Sequence, residues 1–418
     1  MKDINKFSKS KIFLIIFNSI LCVAIIVSSM MIVIDKSRID KGLTDEDKES
    51  VSDSAVEPVD AEPEGTTTAR LMCAGDNLIH GSIYKQAKSR ADGDGYDFSY
   101  AYEHVKNIVS KADIAFLNQE TIIDKDSEPS SYPLFNSPVE LLDEMIDIGF
   151  SVFNQSTNHV MDKGVSGAMN DLDLFRSKNN ILLTGLYPTQ EDMMKPQTMK
   201  ANGNTFSFVG FTEYLNGLSV PSDSDLGFVY LTDKRHTKEE LYSTMETMID
   251  NAKAASDIVC VSMHWQTEDV TEPTDSQREI VDKLLSYGAD IIIGSGPHVL
   301  QPMEYMQNSD GEQALVIWSL GNFISCQNKT KNLLGGISDV TVTKNYDTGK
   351  TTVTAASFIP TITQYSSNFS NVRIIPLSEY SDDLAASHGI RSKNSGYNME
   401  YIEKFYNDMF PNQVKLEP

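Results

Sequence analysis

Asn158 and His159 are the first pair of residues whose types and placement suggest chemistry. They follow the short apolar run Phe150–Phe153 and precede a segment, from about Val165 to Lys178, whose pattern predicts a helix. In an open α/β sheet, ligands bind where strands end and helices begin, because polar groups converge there. An amide oxygen and an imidazole nitrogen are plausible ligands for a borderline divalent metal. Taken alone, however, the pair is more typical of a turn with a satisfied histidine.

Five further strand ends carry polar residues of similar types, which favours a shared site. These segments are Cys73–His80, which contains Asp76; Phe116–Glu120, which contains Asn118; Met263–Glu268, which contains His264; Gly294–Gln301, which contains His298; and Ser319–Phe323. Four of the seven histidines (His80, His159, His264 and His298) fall within a few residues of the end of an apolar run. Imidazole, carboxylate and amide groups without thiolates fit a hydrolytic centre with one or two divalent ions.

The segments that would position these residues alternate between short apolar runs and amphipathic stretches. The predicted strands are Arg70–Ala74, Asp113–Leu117, Phe150–Phe153, Ile181–Thr184, Phe206–Phe211, Ile258–Met263, Asp290–Ile293 and Leu315–Ser319. Predicted helices between them include Ser99–Lys111, Val139–Ile148, Lys238–Ala254 and Ser276–Tyr287. This alternation predicts βαβ units in a layered α/β core. The later runs Gly336–Thr343, Thr351–Ile359 and Asn371–Pro376 predict antiparallel strands, in a second sheet packed on the first.

The N-terminal segment predicts a membrane anchor. Residues 1–11 contain four lysines, and residues 12–34 contain no charged residue. At about 1.5 Å per residue, residues 12–34 are long enough to cross a bilayer core of about 30 Å. Since the lysines favour the cytoplasmic side, the rest of the chain would lie outside, as in a single-pass protein of the cell membrane. A cleaved signal peptide is the alternative, but its apolar region is usually shorter, and no small-residue cleavage site is evident.

The remaining chain divides by composition into three parts. Residues 35–68 are rich in Asp, Glu, Ser and Pro, which predicts a disordered acidic linker. Residues 69–380 carry the strand and helix patterns and predict one globular domain. Residues 381–418 predict a peripheral helical tail.

Charge and cysteine usage limit the classes of partner. The formal net charge is −24, which argues against nucleic acid as a partner because a phosphate backbone would be repelled. An anionic substrate would need bound cations to offset that repulsion. The four cysteines form no CxxC pair, so a zinc ribbon is not supported. Cys73 and Cys260 lie in predicted strands, either as buried free thiols or as a disulfide.

Together, the motifs resemble the bacterial capsule synthesis proteins of the CapA family, which includes the PgsA proteins of poly-γ-glutamate biosynthesis. The resemblance runs from about Arg70 to Pro376. It is carried by Gly75-Asp76, Asn118-Gln-Glu120, Asn158-His159-Val-Met-Asp162-Lys-Gly164, His264-Trp265-x-x-Glu268, Pro297-His298-Val and Ser319-Leu-Gly-Asn-Phe323. The family's domain is similar to the calcineurin-like metallophosphoesterases. The resemblance therefore implies a metallophosphatase-like α/β/β/α sandwich of four layers behind an N-terminal transmembrane helix.

The resemblance also implies roles for individual residues. The implied metal ligands are Asp76, Asn118, Glu120, Asn158, His264 and His298. His159 would act on the leaving group, with Asp76 and Asn158 completing the catalytic set. Glu268 and Asp162 would hold an imidazole or a loop in place. Trp265 would either line the pocket or pack in the core.

Two positions depart from the family pattern. Gly296 stands where the family usually has the first histidine of a His-Pro-His motif, so one ligand is missing. Gln119 replaces the leucine of Asn-Leu-Glu, which is a milder change. His80, four residues after Asp76, would either supply a substitute imidazole or face solvent at the start of a helix.

These expectations lead to two main hypotheses. The first is a membrane-anchored, extracytoplasmic hydrolase of a phosphoester or amide-like bond in capsule or poly-γ-glutamate biosynthesis. It would use one or two Mn, Zn, Fe or Mg ions and act on an anionic polymer such as poly-γ-glutamate or on another capsule precursor, with other capsule synthesis membrane proteins as partners. The second is a component of a synthesis or export complex that binds the polymer without turnover. The motifs containing His264-Trp265 and Ser319–Phe323 argue against a generic extracellular nucleotidase or phosphodiesterase.

Overall fold

The structure is a computed structural model that describes residues 64–414. The predicted basic segment, transmembrane helix and nearly all of the predicted linker lie outside the described residues. Within residues 64–414, no helix combines the length and apolar composition needed to cross a bilayer.

The described chain contains fifteen strands and nine α-helices. The strands are β1 (Thr66–Asn77), β2 (Ile114–Asn118), β3 (Val152–Asn154), β4 (Leu182–Thr184), β5 (Thr198–Ala201), β6 (Asn204–Thr212), β7 (Val229–Tyr230), β8 (Ile258–His264), β9 (Ile291–Ser295), β10 (Leu300–Gln307), β11 (Gln313–Leu320), β12 (Asn322–Ile324), β13 (Leu334–Asn345), β14 (Lys350–Ser366) and β15 (Ser370–Pro376). The helices are α1 (Gly81–Arg90), α2 (Ser99–Val109), α3 (Glu140–Ile148), α4 (Gly164–Arg176), α5 (Gln190–Met193), α6 (Lys238–Ala255), α7 (Asp275–Tyr287), α8 (Asp382–Ser387) and α9 (Met399–Met409). Short 3₁₀ segments occur at Thr330–Leu333, Ser367–Phe369, Leu377–Glu379 and Gly389–Ser392.

The first sheet joins early and late parts of the chain. Its strand order is β15-β14-β13-β1-β2-β3-β4, with β12 paired to the end of β1. Strands β1 to β4 are parallel, whereas β13, β14 and β15 are antiparallel. The prediction that the late strands form a separate sheet is therefore wrong. Because β1 is long, it pairs with β2 along one edge and with β13 along the other, from Thr66 opposite Asn345 to Ala74 opposite Ile337.

The second sheet has the order β10-β11-β9-β8-β6-β5, with β7 paired to β6. Its central strands β6, β8, β9 and β11 are parallel, and the antiparallel strands β5 and β10 close its two margins. Central strands that are covered on both faces have continuous apolar sequences, and for this reason the sequence predicts them.

The two sheets pack face to face with helices on both outer sides. The rings of Phe116 in β2 and Phe208 in β6 stack across the interface, with their centroids 6.2 Å apart. Side chains alternate along a strand, so Cys260 in β8 faces the first sheet while Val259 and Val261 pack with helices α6 and α7. Helices α2 and α3 pack against the other face of the first sheet. A mixed α/β fold is thus confirmed.

The two long helices on the second sheet begin at capping boxes. At α6 the Thr237 hydroxyl accepts from the Glu240 amide while the Glu240 carboxylate accepts from the Thr237 amide. At α7 Thr274 and Gln277 make the same reciprocal pair. Each box satisfies backbone donors that have no partner within the helix, and this determines where the helix starts.

Two ends of the predicted globular domain differ from the structure. Strand β1 begins at Thr66, so residues 66–68 of the predicted linker belong to a strand paired with β13. The predicted tail is helical, but it is not peripheral up to residue 414. Tyr406 and Phe410 are fully buried against Phe358, and the Tyr406 hydroxyl donates to the Thr361 carbonyl at 2.6 Å.

Cys73, Cys260 and Cys326 are buried free thiols. Of the two alternatives for Cys73 and Cys260, the structure therefore shows two buried free thiols and not a disulfide.

Candidate metal centre

The carboxyl ends of the parallel strands bring the predicted residues together. Asp76, at the end of β1, lies opposite Asn118, at the end of β2, and Asn118 lies opposite Asn154 at the end of β3. In the second sheet, His264 ends β8 opposite Ser295 of β9. The Asn118 amide joins the two sheets, since its Nδ2 donates to Asp76 Oδ1 at 2.9 Å and lies 3.5 Å from His264 Nδ1.

Glu120 is the centre of this arrangement. Its side chain is 0 % exposed, and neither carboxylate oxygen has a hydrogen-bond partner. Three imidazole nitrogens face Oε1: the Nε2 atoms of His159 and His264 at 3.9 Å, and that of His298 at 3.7 Å. These distances are too long for hydrogen bonds. They suit ligands that share a cation, because each ligand then lies roughly 2.0–2.2 Å from the ion.

His298 is oriented by two oxygen acceptors. Its Nδ1 lies 3.0 Å from Asp76 Oδ2 and 3.1 Å from Asn322 Oδ1. Since both partners accept, Nδ1 must carry a proton and donate it. With Nδ1 held in this way, Nε2 faces Glu120, as in metal-binding histidines that an outer carboxylate orients.

His159 has a comparable carboxylate partner. Its Nδ1 donates to Asp162 Oδ2 at 2.7 Å, and the same oxygen accepts from the Phe135 amide at 2.7 Å. The Phe135 ring meets the imidazole edge to face, with centroids 4.7 Å apart. Asp162 thus holds an imidazole, as predicted, and leaves Nε2 of His159 facing Glu120.

His264 is held by a hydroxyl instead. Its Nδ1 lies 3.0 Å from Ser295 Oγ, and its fully buried Nε2 has no hydrogen-bond partner. Burial lowers the pKa of His264 to about 3, so the ring is neutral and can offer a lone pair.

Burial and charge act together on the acids and on His298. Burial raises the pKa of Glu120 well above its usual value. Burial alone would lower the pKa of His298, but the charges of Glu120 and Asp76 outweigh it and raise that pKa to about 10. Burial would likewise raise the pKa of Asp76, yet the hydrogen bond and charge of His298 lower it. The carboxylates therefore favour a positive charge between them.

Asp76, Glu120 and His298 form a buried group whose ligand atoms all lie within 4.8 Å of one another. Asn158 adds a further acceptor nearby. Its Nδ2 donates to the Tyr214 hydroxyl and to Asn216 Oδ1, both at 3.2 Å, while its buried Oδ1 has no partner. An unsatisfied amide oxygen fits the predicted role of Asn158 as a ligand.

Asn118 fits a different role from the predicted one. Its Oδ1 already accepts from Asn154 Nδ2 at 2.8 Å, and its Nδ2 donates to Asp76. Both ends of the amide are engaged, so Asn118 orients the Asp76 carboxylate, and its role as a ligand stays a prediction.

His80 lies beside the centre without joining it. Within residues 64–414, it makes no contact shorter than 4 Å with Asp76 or Glu120. Its Nδ1 accepts from the Cys326 amide at 3.2 Å, and its ring packs edge to face against Phe135. Burial lowers the pKa of His80 to about 4. The half-buried ring lies at the start of α1 and packs against Phe135, so it does not project freely into solvent.

Glu268 contacts Tyr214, whose hydroxyl is a hydrogen-bond partner of Asn158. It is exposed, and its Oε1 accepts from the Tyr214 hydroxyl at 3.3 Å. It therefore supports Asn158 by way of Tyr214 and does not contact an imidazole.

Gly296 explains why the expected histidine is absent. Its φ is +96°, and its amide donates to Asp76 Oδ1 at 3.2 Å. A Cβ atom at this position would lie 2.5 Å from the Trp265 carbonyl oxygen and 3.0 Å from His264 Nε2. The backbone thus occupies the place of a side chain and binds Asp76 directly. Trp265 packs in the core, with its indole N–H donating to the Trp318 carbonyl at 2.8 Å.

Several positioning residues were missed by sequence reasoning. They are Asn154, Tyr214, Asn216, Ser295 and Asn322. Asn322 lies in a motif that was noticed but given no role. Tyr214 and Asn216 follow β6 in the same way that Asn158 follows β3, so the end of that strand was a usable signal.

The family model of the bacterial capsule synthesis protein PGA_cap matches residues 70–327, a segment that contains every residue of the centre. The chain belongs to this family. It is 33% identical over 211 residues to a PGA biosynthesis protein CapA of Bacillus subtilis, covering 50% of this chain and 51% of that protein. It is 24% identical over 241 residues to a capsule biosynthesis protein CapA of Bacillus anthracis, covering 56% of each. The chain therefore spans about half the length of these two relatives.

Two solved structures show a weaker likeness. One, described as a novel phosphatase from Mycoplasma pneumoniae, is 14% identical with a TM-score of 0.39, covering 71% of this chain and 94% of that one. The other, a hypothetical protein from Thermus thermophilus, is 12% identical with a TM-score of 0.37, covering 70% and 98%. TM-scores below 0.5 do not establish a common fold.

Proposed function

We propose that this family member is a divalent-metal-dependent hydrolase of a phosphoester or amide-like bond in capsule or poly-γ-glutamate biosynthesis. The observation that carries the proposal is the Glu120 carboxylate, which is fully buried, has no hydrogen-bond partner and faces three imidazole Nε2 atoms. Burying an isolated carboxylate is costly, and a bound cation would offset that cost, which supports the proposal.

The donor set fits a borderline divalent metal. Imidazole nitrogens with carboxylate and amide oxygens suit Zn, Mn or Fe, whereas Mg prefers oxygen ligands throughout. Asp76, Glu120 and His298 form the buried group, and Nε2 of His159 lies 3.9 Å from Oε1 of Glu120. These residues, together with His264 and Asn158, would hold one or two ions. When bound, such ions would polarise the scissile bond and supply a nucleophile at neutral pH.

The protein's own groups would orient the reaction and move protons. Asp76 and Asn322 hold the His298 ring with its Nε2 inward. His159, whose Nδ1 is held by Asp162, would donate a proton from Nε2 to the leaving group. Asn158 would complete the catalytic set with its free amide oxygen.

The proposal includes a metallophosphatase-like fold and a position outside the cell membrane. The sandwich of two sheets with ligands at strand ends supports the fold. The uncharged residues 12–34 after a lysine-rich segment support a single-pass anchor with the catalytic domain outside. An anionic polymer such as poly-γ-glutamate, or another capsule precursor, is the proposed substrate or partner, together with other capsule synthesis membrane proteins.

A second candidate function is polymer binding without turnover. Gly296 favours it, because a backbone amide stands where the family usually places a ligand. A centre with one ligand fewer would hold a cation that binds carboxylates of a polymer without hydrolysing them.

Metal analysis and an ester assay on the full-length chain separate the two candidates. For the hydrolase we expect at least one divalent ion per chain and hydrolysis of a chromogenic phosphate ester. Asp76→Ala should lose both the ion and the activity, whereas Asp347→Ala, which changes an exposed carboxylate, should keep both. A bound ion with no hydrolysis of phosphate or amide substrates would favour the binding role, and absence of any ion would reject both.

A further inference from the structure

A second site lies between the open edges of the two sheets. Strand β4 is the outermost strand of the first sheet, and β5 is the outermost strand of the second. A groove of about 880 Å³ runs between these two edges and the end of helix α4. Its size is within the range of pockets that hold specific ligands.

The groove is separate from the metal centre. Asp113, Ser151 and Ile181 line it, and they directly precede β2, β3 and β4. The residues of the centre follow these parallel strands instead. The two sites therefore lie at opposite ends of the first sheet.

The groove has the opposite charge to the chain as a whole. Four cationic side chains line it, Arg176, Lys178, Lys195 and Lys200, against the two carboxylates of Asp113 and Asp192. The whole chain, by contrast, carries a formal net charge of −24. A local excess of positive charge in such a protein favours an anionic ligand at this place.

Two of the four cations are available for a ligand. Lys178 pairs with Asp143, and Lys195 pairs with Asp192 at 2.6 Å. Arg176 and Lys200 make no ion pair with any residue between 64 and 414. They come from opposite walls, since Arg176 ends α4 and Lys200 lies in β5.

The floor and edges of the groove suit an extended polypeptide. Ile181, Leu183 and Met199, which are half-buried, supply apolar surface that methylene groups can cover. The outer edges of β4 and β5 have no strand partner within the described residues, so they offer backbone N–H and C=O groups to an added strand. Carboxylates spaced along such a strand would meet Arg176 and Lys200.

We propose that this groove binds an extended acidic polypeptide, with carboxylates on Arg176 and Lys200 and its backbone along an open strand edge. The site does not depend on chemistry at the metal centre. Binding should weaken as salt is added, because the contacts are partly exposed ion pairs.

The test uses the full-length chain and a fluorescein-labelled oligo-L-glutamate followed by fluorescence anisotropy. Arg176→Ala/Lys200→Ala should weaken binding by at least about tenfold, because two charge-assisted contacts are lost. Arg176→Lys/Lys200→Arg should restore most of it. Lys234→Ala/Lys393→Ala removes two exposed cations outside the groove and should leave the affinity unchanged.

Glu120→Gln separates this proposal from the proposed hydrolase. The groove should bind the probe normally in that variant even if metal and activity are lost. If Glu120→Gln abolishes binding, the probe occupies the metal centre and the proposal fails. The proposal also fails if Arg176→Ala/Lys200→Ala and Lys234→Ala/Lys393→Ala weaken binding to the same extent. It fails as well if the unaltered chain does not bind the probe at low salt.

Discussion

Nε2 of His298 lies 3.7 Å from Oε1 of Glu120, and no hydrogen bond satisfies either oxygen of that carboxylate. The other nitrogen of the ring is held by Asp76, so the ring cannot turn to provide a closer donor. Folding thus buries an acidic group beside an imidazole nitrogen without joining the two by a hydrogen bond. A cation between the two would remove the electrostatic cost, so metal binding and stability should be linked.

Glu120→Gln should have opposite effects on the stability of the metal-free protein and on the stability that is gained when metal binds. In chelator, the variant should be more stable than the unaltered protein, because a buried amide costs less than a buried carboxylate. With metal at about 100 times its Kd, the unaltered protein should gain about 2.7 kcal/mol and the variant much less. Thermal unfolding of both proteins in EDTA and in Zn or Mn would measure these differences.

Glu128→Gln is the matched control, since it makes the same change at an exposed carboxylate. Its thermal stability should match that of the unaltered protein both in EDTA and in Zn or Mn. An equal gain from metal in Glu120→Gln would show that the cation binds without Glu120.

Gly296→Ala should be more destabilising than a glycine replacement of similar backbone strain. Gly217 also has positive φ, +78°, but a Cβ there would meet nothing within 4 Å. Gly217→Ala should therefore cost about 1 kcal/mol of backbone strain. Gly296→Ala should cost about 1–3 kcal/mol more, because its Cβ would overlap the Trp265 carbonyl.

Urea unfolding of the two glycine variants provides the comparison. Similar losses in free energy of unfolding would mean that the loop around Gly296 yields easily. In that case Gly296→His could restore a ligand. If Gly296→Ala loses more free energy of unfolding than Gly217→Ala, as expected, Gly296→His should instead disrupt the centre.

The residues that converge on Glu120 could be predicted because they depend on local pattern. Asp76, Glu120, His264 and His298 each follow an apolar run, and parallel strands bring their carboxyl ends to one edge of a sheet. The roles of Asn118 and Gly296 could not be predicted in this way. They depend on which atoms meet across the two sheets, and sequence spacing contains no information on that.

The sheet to which the late strands belong could not be predicted for a related reason. An antiparallel pattern at Gly336–Pro376 predicts strands but not their neighbour. The pairing of Thr66 with Asn345 joins residues far apart in the chain, and the length of β1 decides it. Similarly, the spacing of Ile402, Tyr406 and Phe410 predicts an amphipathic helix but does not show which surface that helix covers.

His388 should make stability depend on pH in the acid range. Its Nε2 donates to the Thr363 carbonyl and its Nδ1 accepts from the Ile390 amide, both at 3.0 Å. Burial lowers the pKa of His388 from 6.5 to about 4. Between these values the unfolded chain binds a proton that the folded chain does not, so stability falls as pH falls. The contribution is complete above pH 6.5, and its loss should amount to at most about 3 kcal/mol by pH 4.

His388→Gln should flatten this part of the pH profile, although its stability at pH 7 will also fall. The measurement is the free energy of unfolding between pH 4 and pH 7 in EDTA for the unaltered protein and the variant. His236→Gln, which replaces an exposed histidine, should keep the original slope. An unchanged slope in His388→Gln would mean that His388 is protonated in the folded state.

His159 and Asp162 should matter most for substrates with poor leaving groups. If His159 donates a proton to the departing oxygen, His159→Asn should slow hydrolysis of an alkyl phosphate by about 10²–10⁴-fold. A nitrophenyl ester leaves without protonation, so its hydrolysis should slow far less. Asp162→Asn should show the same dependence on leaving group in weaker form, because Asp162 only orients and stabilises the ring. Measured kcat/KM for both substrates, with metal content determined for each variant, distinguishes this role from ligation. Equal losses on both substrates together with lost metal would make His159 a ligand, and the proton donor would then have to be another group that faces Glu120.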